Sequence, residues 1–418
     1  MGKMVKKSAL ALLSVAAVTW AQPAMAREFA DIYTECGLGA LIAPRNEAVA
    51  AVTNVTWDLG TTAISSNISS PATCAGGKAK TAAFIHDAYD SLETDLASGY
   101  GRTRDGRRMR ILVTGGAGYI GSVLVPTLLA EGHEVTVVDN FMYGQTSLLD
   151  CCHHPRLSII RGDARDRSVI AQCLKRADVI IPLACLTGAP SCERDPLEAK
   201  SVNLDAVQLL VQLRSPHQWM LFPTTNSGYG IGQDGIHCTE DTPLKPLSMY
   251  GRLKVEAERV ILDAKNSITL RLATAFGISP RMRLDLLVND FVYRAVTDGF
   301  VVLFQGHFTR NYIHVRDVAT AFGHCLEHFD AMKDEPYNVG LSDANLSKRQ
   351  LCEEIKKQLP QFYVVEAQIG QDPDQRNYIV SNEKIQRTGF TPTVSLHDGI
   401  AELIKGYQIV RKNGYANV

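Results

Sequence analysis

Tyr250 and Lys254 stand four residues apart in Ser248-Met-Tyr-Gly-Arg-Leu-Lys-Val-Glu-Ala-Glu258, a stretch of strong helix formers. That spacing puts a phenol and an ammonium on one helix face. Tyrosine is neutral at pH 7, but a positive charge beside it favours the phenolate and makes it a usable base. Such pairs are common on exposed helices, so their meaning depends on what precedes them. Here it is Thr114-Gly-Gly-Ala-Gly-Tyr-Ile-Gly121, which follows the apolar run Met109-Arg-Ile-Leu-Val113. The next ten residues place Val123, Leu124, Leu128 and Leu129 at helical spacing. Strand, glycine turn and helix are what a dinucleotide site requires. Gly115 takes the tight turn, Gly118 admits a pyrophosphate to the backbone, Gly121 lets helix pack on strand, and the helix N-terminus faces the phosphates. A second strand, Glu134 to Val138, ends on Asp139, about 20 residues past the glycines, where an acid accepts ribose hydroxyls and repels a 2′-phosphate. NAD is thereby favoured over NADP.

The elements that must hold these groups follow a regular alternation. Apolar strands near Met109, Glu134, Leu157, Asp178, Gln218 and Ser267 are separated by segments of helical period. That pattern predicts an α/β fold, a doubly wound parallel (Rossmann) sheet with ligands at the carboxyl ends of its strands. Beyond Gly277 the order loosens into a smaller mixed α/β lobe suited to a second ligand. The expected division is therefore an NAD-binding domain over 109–276 and a mainly substrate-binding lobe over 277–418. The formal net charge of -1 gives no electrostatic case for nucleic acid or an anionic membrane. Ten cysteines occur with no CxxC pair and no zinc-like spacing, so no metal site is expected.

The N-terminal part reads differently. Residues 1–26 carry Lys3, Lys6 and Lys7, the apolar run Ala9 to Ala17, and Ala24-Met-Ala26, the three regions of a secretory signal. That apolar run is too short for a stable membrane span. Residues 27–100 form a small separate segment rich in Ala, Thr, Ser and Asn. A Cys36–Cys74 bridge and two free thiols are both open to the sequence there. Its pieces CGLGALIAP, NVTWDLGTT and SSPATC resemble an uncharacterised family of short secreted bacterial proteins, which implies export and no known activity. Residues 101–108, glycine- and arginine-rich without apolar period, read as a linker. Met109 opens the first strand with no spare residue. The expectation is that two unrelated reading units have been joined. The catalytic module would be cytoplasmic, with a periplasmic or secreted location if the signal belongs to the mature product.

Taken with Arg161-Gly-Asp-Ala164 and Arg310-Asn-Tyr-Ile-His-Val-Arg-Asp317, the glycine run, Asp139 and the Tyr250/Lys254 pair resemble the extended short-chain dehydrogenase/reductase family. The likeness is to its NAD-dependent nucleotide-sugar epimerase and dehydratase branch, and it runs from Met109 to about Ile409. It implies that Tyr119 and Ile120 belong to the cofactor loop, that Asn140 continues the ribose contacts, and that Asp163 and Ala164 meet the adenine. Leu183 and Ala184 would line the cofactor after the fourth strand, and Lys254 would also hold the nicotinamide ribose. In the loop Leu221-Phe-Pro-Thr-Thr-Asn-Ser-Gly-Tyr-Gly230, Thr225 falls where a hydroxyl bonds the reacting sugar oxygen; the alternative is a hydroxyl that caps its own loop. Arg310 matches a diphosphate-clamping arginine, Asn289 falls near a nucleotide-contacting asparagine, and Arg376 is a candidate second diphosphate contact. Thr274 stands where many relatives carry an asparagine. His314 lies in a strand motif and is read as structural.

The resemblance implies an enzyme that acts on a nucleotide sugar and pairs as a homodimer through the 195–214 and 250–264 segments. Dehydratases of this branch follow the hydroxyl with carboxylates; here Asn226 and Ser227 stand instead, which puts elimination in doubt. An epimerase is therefore expected, with a reductase, dehydrogenase or dehydratase on the same site as alternatives. A non-catalytic NAD-binding sensor or scaffold is the rival from another class.

Overall fold

A computed structural model describes residues 108–233, 235–367 and 375–410 of the chain. The signal, the 27–100 segment with Cys36 and Cys74, and the linker up to residue 107 lie outside the described residues.

In chain order the first strands are β1 (Arg110–Thr114), β2 (Glu134–Asp139), β3 (Leu157–Arg161), β4 (Val179–Pro182), β5 (Trp219–Thr225), β6 (His237–Cys238) and β7 (Ser267–Leu272). Among them lie helices α1 (Gly121–Ala130), α2 (Arg167–Leu174), α3 (Ala206–Leu213) and α4 (Met249–Asp263). There follow β8 (Thr274–Phe276), α5 (Leu287–Thr297), β9 (Phe300–Leu303), β10 (Thr309–His314), α6 (Val315–Glu327), β11 (Glu335–Val339), β12 (Asn345–Ser347), α7 (Lys348–Gln358), β13 (Tyr363–Glu366), β14 (Ile379–Val380) and α8 (Leu396–Gly406).

Seven parallel strands build the main sheet in the order β11-β7-β5-β4-β1-β2-β3. Alternate residues of each strand feed opposite faces. Ile111 and Val113 pack with Leu124 and Leu128 of α1 and with Val318 and Phe322 of α6. Leu112 turns the other way, toward Ile170 of α2, Leu210 of α3 and Leu253, Ala257 and Ile261 of α4. This double covering explains why the inner strands read as unbroken apolar runs.

Six strands were expected before Gly277, and all six are there; the seventh, β11, comes from residues 335–339. Its sequence, Glu-Pro-Tyr-Asn-Val, is short and interrupted by Pro336, which has no N–H to donate and is tolerated because β11 is an edge. Helix α6 likewise packs on the main sheet. The smaller lobe has its own core, with Val288 and Val292 of α5, Leu351 and Ile355 of α7, and Ile400 and Leu403 of α8.

The stretch between β4 and β5 carries a single turn of π-helix at Ser201–Asp205, continuous with α3. The widened turn points Asn203 inward, where its amide accepts from Leu186 N and donates to Leu186 O, both at 2.8 Å. One side chain thereby fixes the loop that leaves β4.

A buried ion pair ties α4 to the sheet. Arg271 in β7 meets Glu258 of α4 at 2.7 Å, with both side chains almost inaccessible. Arg271 also donates to Tyr229 Oη at 3.1 Å and to Glu240 O at 2.9 Å, and Tyr229 donates to Asn338 of β11 at 2.7 Å. Removing one partner of such a pair strands a buried charge. Glu258→Ala is expected to lower unfolding free energy by about 3–5 kcal/mol, read from urea denaturation of the full chain. A loss within the range of an ordinary surface substitution would refute this role for the pair.

Candidate active site

The glycine turn after β1 is held from three sides. Gly115 has φ +72°, and a Cβ placed there would lie 2.5 Å from the backbone nitrogen of Ala184. So close an approach, in a backbone conformation that side chains avoid, requires glycine. It also brings the turn against Leu183 and Ala184 at the end of β4, and Leu183 N donates to Thr114 O at 2.8 Å. Gly121 is equally constrained by the protein, since a Cβ there would meet Gly116 O at 2.4 Å. Gly118 differs. A Cβ on it would find just one protein atom in range, Gly115 O at 3.2 Å, so its bare backbone faces outward at the N-terminus of α1. Ile120 caps that helix without a side-chain bond; Ser122 N and Val123 N donate to Gly118 O and Ile120 O, and the positive end of the helix faces the glycine turn.

Asp139 lies at the end of β2 and is buried. One carboxylate oxygen accepts from Ala117 N at 3.0 Å; the other accepts from Phe141 N at 2.8 Å and Gln145 Nε2 at 3.3 Å. The acid expected to meet a ribose therefore also pins the glycine loop, and three bonds leave acceptor capacity on a carboxylate. Asn140 is exposed, its side chain accepting from Met142 N. Asp163 is gripped by Arg165 at 2.8 and 2.6 Å, which holds its carboxyl below the usual range, and Ala164 lies between the two. The cradle, the outward glycine and the acid fit a bound dinucleotide, with Gly118, the α1 N-terminus and Asp139 as its holders.

Tyr119 does more than line this loop. Its hydroxyl donates to Gly277 O at 2.8 Å, and Ser122 Oγ lies 2.8 Å from Ser279 Oγ. The cofactor loop is thus clasped to the segment that opens the smaller lobe. Asn289 completes the clasp: its amide accepts from Gly277 N at 3.0 Å and donates to Arg283 O at 2.9 Å. It is wholly buried, so the structure makes it a support for this segment and does not bring it to the cleft surface as a nucleotide contact. That role was hidden because the loop it braces is 158 or more residues distant from Tyr119 in sequence.

Ser248 caps α4 by accepting from Gly251 N at 3.1 Å, and the helix delivers Tyr250 and Lys254 together to the end of β5. Lys254 is 4% exposed, and its ammonium sits 3.8 Å from the centre of the Phe222 ring. Burial pushes the Lys254 pKa down. Burial also pushes the Tyr250 phenol up, and the Arg283 and Arg376 guanidinium groups oppose this. Arg283, paired with Asp285, was missed as a site residue because a loop arginine carries no pattern of its own.

Thr225 ends β5. Its hydroxyl accepts from Ser227 N at 3.1 Å and donates to Ser227 Oγ at 2.9 Å, so it caps its own loop, the alternative weighed against a substrate role. Arg376 Nη1 reaches the same Ser227 Oγ. The structure therefore joins Thr225 and Arg376 through one serine. Arg310 is buried on β10, donates to Thr309 O at 2.9 Å and stands 5.8 Å from the Tyr378 ring. His314 is fully buried; its Nδ1 accepts from Arg316 N as the cap of α6, and burial lowers its pKa well below the usual value. It is structural, as read from the sequence.

The model of the NAD dependent epimerase/dehydratase family matches residues 111–340. Among curated relatives, the low-salt glycan biosynthesis protein Agl12 of Haloferax volcanii is 28% identical over 72% of this chain and 98% of its own. A UDP-glucose 4-epimerase of Lactobacillus helveticus is 26% identical over 71% of this chain and 95% of its own. Among solved structures, DesIV, a dTDP-glucose 4,6-dehydratase of Streptomyces venezuelae with NAD bound, superposes with a TM-score of 0.64 at 26% identity, covering 74% of this chain and 99% of that one.

Two outcomes check this geometry. Gly115→Ala should abolish NAD retention through purification, measured by chromatography of the nucleotide released on denaturation; NAD at wild-type occupancy would contradict the close approach to Ala184. For His314, the folded ring stays neutral to lower pH than the unfolded one, so wild-type stability falls as pH drops from 7 to 5. His314→Asn keeps an acceptor for the α6 cap and removes the titrating ring. Its unfolding free energy should vary less over that window, by on the order of 1 kcal/mol, and equal slopes would count against it.

Proposed function

The chain belongs to the NAD-dependent epimerase/dehydratase family, and we propose that it is an epimerase of nucleotide sugars that works through a transient keto-sugar. Bound NAD supplies the hydride acceptor and then the hydride donor. The protein's part is to move one proton and hold the sugar. Tyr250 takes the proton from the reacting hydroxyl and returns it, its phenolate favoured by Arg283 and Arg376 against the cost of burial. Lys254, seated over Phe222, would hold the nicotinamide ribose from the same helix face. Thr225 Oγ1 keeps one lone pair beyond its two bonds to Ser227, enough to receive a sugar hydroxyl. Arg310 is the proposed clamp on the diphosphate. The helices α3 and α4 are the proposed contact of a homodimer, and the module is proposed to act in the cytoplasm; no described helix is long and apolar enough to cross a membrane.

The observation that carries this reading is the pair after Thr225. Asn226 and Ser227 supply no carboxylate, while Tyr250, Lys254 and the dinucleotide cradle are complete. Oxidation at the sugar needs the second set; expulsion of water needs the first. Loss of an acid/base group costs about 10²–10⁴ in rate, enough to leave hydride return as the main path.

The full chain is to be incubated with a panel of nucleotide sugars, with light scattering of the same preparation to read the dimer. Epimerised sugar with no net change in nicotinamide absorbance is expected. Tyr250→Phe should abolish turnover while NAD stays bound, and Thr225→Ala should slow it less. Accumulation of a 4-keto-6-deoxy sugar would overturn the assignment in favour of a dehydratase, and stoichiometric oxidation of added NADH in favour of a reductase. Unchanged biological function of Tyr250→Phe would point to a sensor or scaffold.

A further inference from the structure

The loop that leaves β4 carries two thiols that no step of the proposed reaction uses. Cys185 follows Ala184, the residue against which the glycine turn packs, and its Sγ donates to Leu186 O at 3.3 Å. Cys192, in the short helix Ala189–Arg194, donates to the same oxygen at 3.3 Å. The two sulfurs are therefore less than twice that distance apart. Asn203 Nδ2 also donates to Leu186 O, at 2.8 Å. A carbonyl oxygen has two lone pairs, so the two weak S–H donors compete for the one that Asn203 leaves. Losing both S–H groups would still leave Leu186 O satisfied.

The two thiols differ in access and in the charges around them. Cys192 is fully buried, and burial pushes its thiol up to about 12. Cys185 is half-buried. Burial raises its pKa too, but Lys254 and Arg283 act the other way on it, being cations that favour a thiolate. Its charge is felt in turn by Tyr250 and Lys254, so it stands beside that pair. A partly accessible sulfur beside cations, with a shielded second sulfur close by, is the arrangement of a reactive thiol and its resolving partner.

We propose that Cys185 is a modification site for hydrogen peroxide, with Cys192 as its resolving thiol, and that the bridge they form releases NAD. Peroxide oxidises Cys185 to a sulfenic acid and is itself reduced to water. The Cys192 sulfur then attacks the Cys185 sulfur, the S–O bond breaks, and the departing oxygen leaves as a second water with the Cys192 proton. A thiol reductant reverses the bridge. Drawing Cys185 toward Cys192 pulls on Ala184, whose backbone nitrogen lies 2.5 Å from where a Cβ on Gly115 would be, and on Leu183, whose N–H bonds Thr114 O at 2.8 Å. The dinucleotide cradle is thereby loosened at the contact that shapes its turn.

The full chain with its bound NAD is to be treated with hydrogen peroxide for about an hour, and its remaining thiols then blocked with N-ethylmaleimide. Trypsin releases 177–194 as one peptide with both cysteines, since neither Lys nor Arg interrupts it. Mass spectrometry should find this peptide unblocked and two hydrogens lighter, and prior dithiothreitol should return it to the form that takes two maleimides. NAD retained on the protein should fall by at least about fivefold on oxidation and recover on reduction with NAD supplied. Cys185→Ser and Cys192→Ser each keep a donor for Leu186 O. Neither should form the bridge, both should hold NAD under peroxide, and Cys192→Ser should stop at a sulfenic acid that dimedone traps on Cys185. A wild-type peptide that still takes two maleimides after peroxide overturns the proposal, as does a bridged chain that keeps its NAD. Loss of NAD from the serine variants equal to that of wild type would assign the effect to other groups and overturn it likewise. Should a serine variant not fold, the peptide mass and the NAD content of the wild type decide alone. No readout needs a sugar, so the outcome is independent of the epimerase reading.

Discussion

The buried pair of Arg271 and Glu258 decides where helix α4 sits on the sheet. Helix α4 carries Tyr250 and Lys254, and its position on the sheet is set by a charge contact that must be satisfied because neither partner can reach water. Arg271 spends its remaining donors on Tyr229 and Glu240, and Tyr229 passes the constraint to Asn338 on the edge strand. The loop between Thr225 and Gly230, the helix α4 and the late strand β11 are consequently fixed to one another by a single polar network. Apolar packing of Leu253, Ala257 and Ile261 supplies the adhesion, but a greasy face can slide. The ion pair cannot slide without losing its partners.

A second constraint joins the glycine turn to the segment that opens the smaller lobe. Tyr119 and Ser122, on either side of the third fingerprint glycine, bond Gly277 and Ser279, while Asn289 braces Gly277 and Arg283 from behind. The segment so held delivers Arg281 over the Tyr143 ring and Arg283 toward Tyr250. Residues far apart in the chain thus close one cleft. Asp139 shows the same economy, bonding the glycine loop and the loop after β2 while retaining acceptor capacity for a ribose.

The electrostatics of the reaction end follow from burial. Desolvation raises the cost of charge on both Tyr250 and Lys254, in opposite directions of pKa. Lys254 is stabilised by an aromatic face, Tyr250 by guanidinium groups brought from two separate loops.

By itself the sequence determined the alternating α/β fold, the first six strands, the dinucleotide turn and its acid, and the placing of Tyr250 and Lys254 on one helix. These are local facts: apolar period, glycine spacing and helix propensity act within a few residues, and they survive without knowing what packs against what. It also bore the missing carboxylates at Asn226 and Ser227 openly, since residue type is enough to show them. The tertiary structure alone decided that β11 joins the main sheet across its Pro336, that Asn203 turns inward on a π-turn, and that Asn289 is a brace. It decided too that Arg271, an arginine inside Ser-Ile-Thr-Leu-Arg-Leu272, is buried against Glu258 rather than solvated, and that Arg283 and Arg376 converge on Tyr250. Each of these depends on a partner more than ten residues away, and a long-range partner leaves no period in the chain. It is written in the closing of the fold.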